Sequence, residues 1–265
     1  MDSEEIFNAI FNEKNFFMIA GPCAVESEEQ IVSAARFLRS RGVMILRGGA
    51  YKPRTSPDTF QGLGEEGLRM LAKAREVTGM LVVTEVMDPE HIPIVSRYAD
   101  ILQIGSRNCQ NFPLLRAAGS TGMPVLIKRG FGNTVSEFLH AASYVSKQKN
   151  DRIILVERGI RTFETSMRFT LDVAAVPVIR EQVPYPILVD PSHPAGKSKY
   201  VRPLAMAGVG AGADGLMIEV HPSPGDALSD AEQQLDFQEF ETLQNDVGRM
   251  LSAMGRNVLG IAESP

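Results

Sequence analysis

Short apolar runs recur along the chain, each followed by a longer stretch with helical spacing. The runs are FFMIA (16–20), VMILR (43–47), LVVTEV (81–86), DILQIG (100–105), PVLIKR (124–129), RIILVE (152–157), PILVD (186–190) and DGLMIEV (214–220). Each has the length of a strand buried on both faces, as in a parallel sheet. The intervening segments carry helix signals. Ser27 and Gln30 stand in capping-box positions, Ile31, Ala35 and Leu38 line one face, and Gly42 ends the pattern. Leu68, Leu71 and Arg75 mark a second helix that stops at Gly79. Thr134 and Glu137 repeat the capping box ahead of Phe138, Ala141, Ala142 and Val145. Val201, Leu204, Ala205 and Gly208 form a glycine-softened helix, and 234–254 is the longest helical segment.

Eight strands with helices between them predict an α/β fold, a (β/α)8 TIM barrel. An open doubly wound sheet would carry a Gly-rich phosphate turn after the first strand. Here that turn reads GPCAVES (21–27), without the required glycine spacing. No linker or composition break divides the chain, so a single barrel domain over 1–265 is expected, with 1–15 a short N-terminal extension. At 265 residues that is an ordinary barrel length.

A net charge of -5 argues against a nucleic-acid partner. Two cysteines, Cys23 and Cys109, make no disulfide framework and fit a reducing compartment. The acidic first residues lack the regions of a signal peptide, and no apolar run approaches bilayer length. A cytoplasmic protein without membrane contact is expected.

In a barrel the chemistry gathers at the carboxyl ends of the strands. Those ends carry Cys23, Arg47, Glu85, Arg107, Lys128, Glu157 with Arg158, Asp190 with His193, and Glu219 with His221. Two chemical groups separate out. Arg47, Lys52, Arg54, Arg107, Lys128 and Arg158 concentrate positive charge in an acidic protein, which suits a small ligand with more than one phosphate or with a phosphate and a carboxylate. Cys23, His193, Glu219 and Asp230 are a mixed soft and hard donor set suited to a divalent transition metal, though they come from separate loops and form no local spacing motif. Taken alone, Cys23 reads as a small core residue. His193 lies between Pro191 and Pro194, which stiffen its loop. His91 and His140 read as structural, and Cys109 has no evident partner.

The segment LRGGAYKPRTSP (46–57) resembles the signature of 3-deoxy-D-arabino-heptulosonate-7-phosphate (DAHP) synthases. The likeness extends through GPCAVES, IGSRN, PVLIKRG, ERGIRTFE, DPSHPAGKS and GLMIEVHPSP, nearly all of 16–235. It is closest to the short microbial branch, a bare barrel without an added regulatory domain. The resemblance implies condensation of phosphoenolpyruvate with erythrose 4-phosphate, the first step of the shikimate pathway. It implies one divalent metal ion (manganese, iron, cobalt or zinc) on Cys23, His193, Glu219 and Asp230. It places phosphoenolpyruvate on Arg47, Lys52, Arg107, Lys128 and Arg158, and erythrose 4-phosphate on Pro53, Arg54, Thr55 and Ser56. None of these positions departs from the family motif. Lys128 is the expected acid and Glu85 the expected water-delivering group. The family is usually a homodimer or homotetramer, and a bare barrel is expected to be insensitive to aromatic amino acids.

Three other readings stay open at this level. The sister synthase of 3-deoxy-manno-octulosonate 8-phosphate shares most of the cationic site, but its sugar-binding segment typically reads KANRS where this chain has KPRTS (52–56). A lysine-dependent aldolase would use Lys128 as a Schiff base. A sugar-phosphate sensor would keep the cations but has little need of all four metal donors.

Overall fold

Every apolar run of the pattern becomes a strand in the computed structural model, which describes residues 2–11, 15–52 and 58–260. Helix α1 (Ser3–Ile10) precedes β1 (Asn15–Gly21). Then α2 (Glu28–Ser40), β2 (Ile45–Arg47), α3 (Glu65–Thr78), β3 (Leu81–Glu85), α4 (Ile92–Tyr98), β4 (Ile101–Ile104), α5 (Phe112–Gly119) and β5 (Val125–Lys128) alternate. They are followed by α6 (Val135–Ser146), β6 (Ile153–Glu157), α7 (Ala175–Gln182) and β7 (Ile187–Val189). The single-turn α8 (Ser192–Ala195), α9 (Ser198–Gly210), β8 (Gly215–Glu219), α10 (Phe237–Ala253) and the short β9 (Asn257–Val258) complete the order. Strands β1 to β8 each pair in parallel with their sequence neighbours. β8 returns to β1 in the register Gly21↔Glu219, so the sheet closes into the expected (β/α)8 barrel. β9 adds to the start of β1. No helix among the described residues is long and apolar enough to cross a membrane.

The strand alternation decides what points where. Along β1, Phe16, Met18 and Ala20 pack outward among the helices, while Phe17 and Ile19 fill the lumen. The other strands do the same, with Ile45, Val83, Ile101, Leu126, Val156, Leu188 and Met217 inside. Two residues beyond these inner positions stand Arg47, Glu85, Gln103, Lys128, Arg158, Asp190 and Glu219. The period of two therefore carries the lumen's apolar filling directly into a ring of charged and polar groups.

Helix starts largely follow the expected chemistry. Thr134 and Glu137 form a full reciprocal capping box on α6. On α2 only half of the expected box forms. Ser27 Oγ accepts from Gln30 N at 3.1 Å, but Gln30 Oε1 accepts from Glu26 N at 3.3 Å rather than from the capping residue. The amide also donates to Ala24 O at 3.0 Å, so it staples the GPCAVES loop to its helix. The 1–15 extension contains more than a tail. Ile6, Phe7 and Ile10 of α1 join the lumen cluster, closing the barrel at the amino ends of its strands.

Candidate active site

The turn after β1 sets the geometry of the mouth. Gly21 has φ +149°, and a Cβ there would fall 2.1 Å from Arg47 O, so only glycine lets β1 run this close to β2. Cys23 emerges fully buried, its N–H donating to Gln234 Oε1 at 2.9 Å. Its carbonyl accepts from Arg47 Nη2 at 3.1 Å and from Lys52 Nζ at 2.9 Å, and Lys52 Nζ also lies 2.9 Å from Sγ.

Around that sulfur the structure gathers three of the four expected donors. Cys23 Sγ and carboxylate oxygens of Glu219 and Asp230 all lie within 4.8 Å of one another. Sγ is 3.3 Å from Asp230 Oδ2 and 3.3 Å from Ser229 Oγ. Asp230 holds a left-handed backbone, φ +53°, an unusual conformation for a residue other than glycine. His193 stands at the rim of this set rather than within the same mutual distance. Its Nε2 is 3.5 Å from Glu219 Oε1, and its Nδ1 is 2.7 Å from Asp190 Oδ2. The single turn of α8 orients it, with His193 N donating to Asp190 Oδ1 at 3.2 Å. An imidazole held by a carboxylate at Nδ1 leaves Nε2 for a metal. The donor chemistry and spacing fit one divalent transition ion.

Charge and burial tune these groups. Burial, aided by Glu219, pushes the Cys23 thiol up to about 12. Burial lowers His193, which favours the neutral ring that binds metals. For Glu219 burial works upward, but His193, Arg47 and Lys52 outweigh it and hold the carboxyl well below its usual range. Asp190 follows the same pattern under His193 and Lys128.

A small polar cavity opens beside the donors. Arg47, Lys52, Arg107, Lys128 and Arg158, the five expected phosphoenolpyruvate cations, all line it. Arg47 Nη1 meets Glu219 Oε1 at 2.6 Å, and Lys128 Nζ meets Asp190 Oδ2 at 2.7 Å. Burial lowers Lys128 and raises Glu85. Glu85 Oε2 accepts from Gln103 Nε2 at 3.3 Å, whereas Oε1 has no hydrogen-bond partner among the described residues. Pro53, Arg54, Thr55 and Ser56, expected to receive erythrose 4-phosphate, lie outside the described residues.

Two strand-end residues do not join the mouth. Glu157 precedes the inward Arg158 and therefore faces the helix layer, where Arg129 Nη1 contacts it at 2.8 Å and also reaches Asp172 at 2.8 Å. His221 likewise stays outside the donor set, its Nδ1 accepting from Ser223 N at 3.0 Å. The sequence assigns no role to Asp190 beyond its place at a strand end, and does not point to Arg168 or Gln233 at all. Asp190 is a buried hub between Lys128 and His193, and its inward register two residues after Leu188 was the available signal. Arg168 Nη1 donates to Asp230 Oδ1 at 3.2 Å and to Gln233 Oε1 at 2.6 Å, while Gln233 Nε2 donates to Glu219 Oε2 at 2.5 Å. These two residues come from long loops, where no periodicity points to them.

Comparison with known proteins is consistent with this geometry. A family model described as the DAHP synthetase I family matches residues 6–254. A phospho-2-dehydro-3-deoxyheptonate aldolase of Thermotoga maritima is 54% identical over 243 residues, spanning 92% of this chain and 72% of the relative. A 2-dehydro-3-deoxyphosphooctonate aldolase of Acidithiobacillus ferrooxidans is 33% identical over 246 residues, with 86% of each chain covered. The crystal structure of the Thermotoga maritima DAHP synthase superposes with a TM-score of 0.90 at 52% identity, covering 92% of this chain and 71% of that one. A truncated form of the Thermotoga maritima enzyme gives a TM-score of 0.86 at 49% identity, covering 92% and 90%.

Proposed function

The chain belongs to the DAHP synthetase I family and is an enzyme with DAHP synthase function, and we propose that it joins phosphoenolpyruvate to erythrose 4-phosphate with the aid of one divalent metal ion. The observation that carries this reading is the meeting of two chemistries at one mouth. A cation-lined cavity adjoins a Cys, Glu and Asp donor set, with His193 at its rim and Lys52 bonded across the seam to Cys23. The greater similarity to a heptonate than to an octonate aldolase, 54% against 33% identity, favours the shorter sugar.

Cys23, His193, Glu219 and Asp230 are the residues that would hold the metal. Such an ion supplies Lewis-acid polarisation of the aldehyde oxygen. The protein's own groups do the rest. Arg47, Lys52, Arg107, Lys128 and Arg158 bring two mutually repelling anions together, which is the proximity contribution. C3 of phosphoenolpyruvate then attacks the aldehyde carbon, and the carbonyl electron pair moves to oxygen, which gains a proton. Water adds at C2, and cleavage of the C–O bond releases phosphate and leaves the ketone. Lys128 serves as the acid at the bridging oxygen, which takes its proton as phosphate leaves. Glu85 orients the water and takes its proton, its raised pKa making it a stronger base than an ordinary carboxylate. The thiol ligand must stay reduced, which suits a cytoplasmic setting.

The test is phosphate release from phosphoenolpyruvate with erythrose 4-phosphate, before and after chelation and with each metal restored. Loss on chelation and recovery with metal are expected. Equal turnover with arabinose 5-phosphate would shift the reading to the octonate reaction. Borohydride trapping of Lys128 with activity indifferent to chelators would replace the metal mechanism with a Schiff base.

A further inference from the structure

Two phenylalanines stand among the cavity cations without a part in the chemistry above. Phe131 follows β5, and Phe169 lies in the long connection from β6 to α7. Their rings stack with centroids 5.2 Å apart and planes 7° from parallel. The backbone around them is fastened down. Ile160 and Thr170 exchange two hydrogen bonds, at 2.9 and 3.0 Å, and Arg161 N donates to Phe131 O at 2.8 Å. Gly159 makes room for the arrangement: its φ is +90°, and a Cβ there would come within 2.9 Å of Phe169 Cβ.

Guanidinium groups surround this stack. Arg158 Cζ lies 4.2 Å from the Phe169 centroid and 4.9 Å from that of Phe131. Arg161 and Arg107 sit over Phe131 at 5.2 and 5.5 Å, and Arg168 over Phe169 at 6.0 Å. Arg158 is 3% exposed, and it is held differently from the three buried cations that pair with carboxylates. Arg47 is tied to Glu219, Lys128 to Asp190 and Arg129 to Glu157. Arg158 donates to Gly159 O at 3.5 Å and makes no ion pair among the described residues. Burial pulls it down to about 10, which still leaves it charged near neutrality.

A ring face attracts a cation without bringing a counter-charge, so it fixes the guanidinium and leaves its field intact. A carboxylate in the same place would fix it and cancel that field. We propose that the stacked Phe131 and Phe169 are positioning residues that hold Arg158 against their π faces, keeping its full charge for the phosphate of phosphoenolpyruvate. This rests on the reading of the cavity as the phosphoenolpyruvate site.

The experiment is calorimetric titration of phosphoenolpyruvate, without the aldose, into the metal-loaded wild type and into Phe169→Leu, Phe131→Leu and Phe169→Tyr. Leucine keeps bulk and apolarity but removes the π face. Each leucine variant is expected to bind phosphoenolpyruvate on the order of tenfold more weakly, the size of one desolvated cation–π contact. Tyrosine keeps the face and should stay within about twofold of wild type. In turnover the KM for phosphoenolpyruvate should rise while the KM for erythrose 4-phosphate and kcat hold. If leucine at 169 unfolds the protein, methionine there makes the same comparison. Wild-type affinity in the leucine variants overturns the proposal, as does a tyrosine variant as weak as leucine. A wild type that binds no phosphoenolpyruvate sinks the site reading itself and the platform with it.

Discussion

The two ends of this barrel are built from the same strands under the same alternation, yet they hold opposite contents. Toward the amino ends the inward positions are Phe17, Ile45, Leu81 and their neighbours, capped by Ile6, Phe7 and Ile10 of α1. Toward the carboxyl ends the inward positions are Arg47, Lys128, Arg158, Asp190 and Glu219, buried but charged, with the half-buried Glu85 among them. Burying charge is expensive unless each group is paired. The mouth meets that condition with Arg47 on Glu219 and Lys128 on Asp190, and with an aromatic face under Arg158. Connections follow the same division. Only Arg41–Met44 separates α2 from β2, whereas residues 158–174 separate β6 from α7. One end is spent on stability and the other on chemistry, so substitutions at the two ends should separate in what they change.

The largest effect is expected at the mouth. His193→Ala removes the imidazole beside Glu219 and should cut phosphate release by at least about 10³-fold, a loss of several kcal/mol in transition-state stabilisation. The melting temperature should fall less than for Asp190→Asn, because Lys128 still pairs with Asp190. Full turnover in a chelated His193→Ala protein would remove metal from the mechanism and blur the division between the ends.

Asp190→Asn tests whether the mouth also carries stability. It leaves Lys128 buried without its counter-charge, which costs about 3 to 4 kcal/mol. The pH dependence has a definite sign. Burial works against the Asp190 carboxylate, but His193 and Lys128 hold its folded pKa far below the unfolded value of about 3.9. Its stabilisation is therefore complete well above pH 4 and is lost as pH falls through and below that value. Urea midpoints of wild type should drop along this acid limb, and the asparagine variant should show a flatter one. Parallel limbs would mean that Asp190 is not held ionised in the fold.

Much of this division could be read before the fold was seen. Continuous apolar runs placed all eight barrel strands, because a strand buried on both faces leaves a dense signal. The alternation also carries the charged ring, but adjacent residues face opposite ways, so of Glu157 and Arg158 only Arg158 belongs to it. The outward member pairs with Arg129 in the helix layer. Asp190 was visible as a strand-end residue, but nothing local reveals that one carboxylate will serve both a lysine and a histidine. Arg168 and Gln233 are brought to Asp230 and Glu219 by long loops, whose paths no periodicity encodes. The same limit hides the Phe131 and Phe169 stack, which forms only where two loops meet.

The opposite end gives the next effect in size. Phe7→Ala opens a void under the barrel where the ring is 8% exposed, and should cost about 3 kcal/mol of stability. Chemical denaturation should record that loss while kcat and both KM values stay at wild type when measured well below the melting temperature. A fall in kcat would show that the plug transmits to the mouth and that the two ends are not independent.

The smallest effect isolates the plug's own folding from its docking. Asp2 caps α1 by accepting from Glu5 N at 2.8 Å, and Glu5 Oε2 accepts from Asp2 N at 2.7 Å. Both bonds are exposed, so Asp2→Ala should cost about 1 kcal/mol or less. If α1 folds only as part of the barrel's base, that cost appears in the global transition, and the double variant with Phe7→Ala falls short of the sum. Once the ring is gone the helix contributes less, and so does its cap. If α1 frays separately, Asp2→Ala leaves the global midpoint unchanged and appears only as faster amide exchange across Ser3–Ile10. The burial of Ile6, Phe7 and Ile10 in the lumen cluster favours the first outcome, since docking supplies far more energy than the cap.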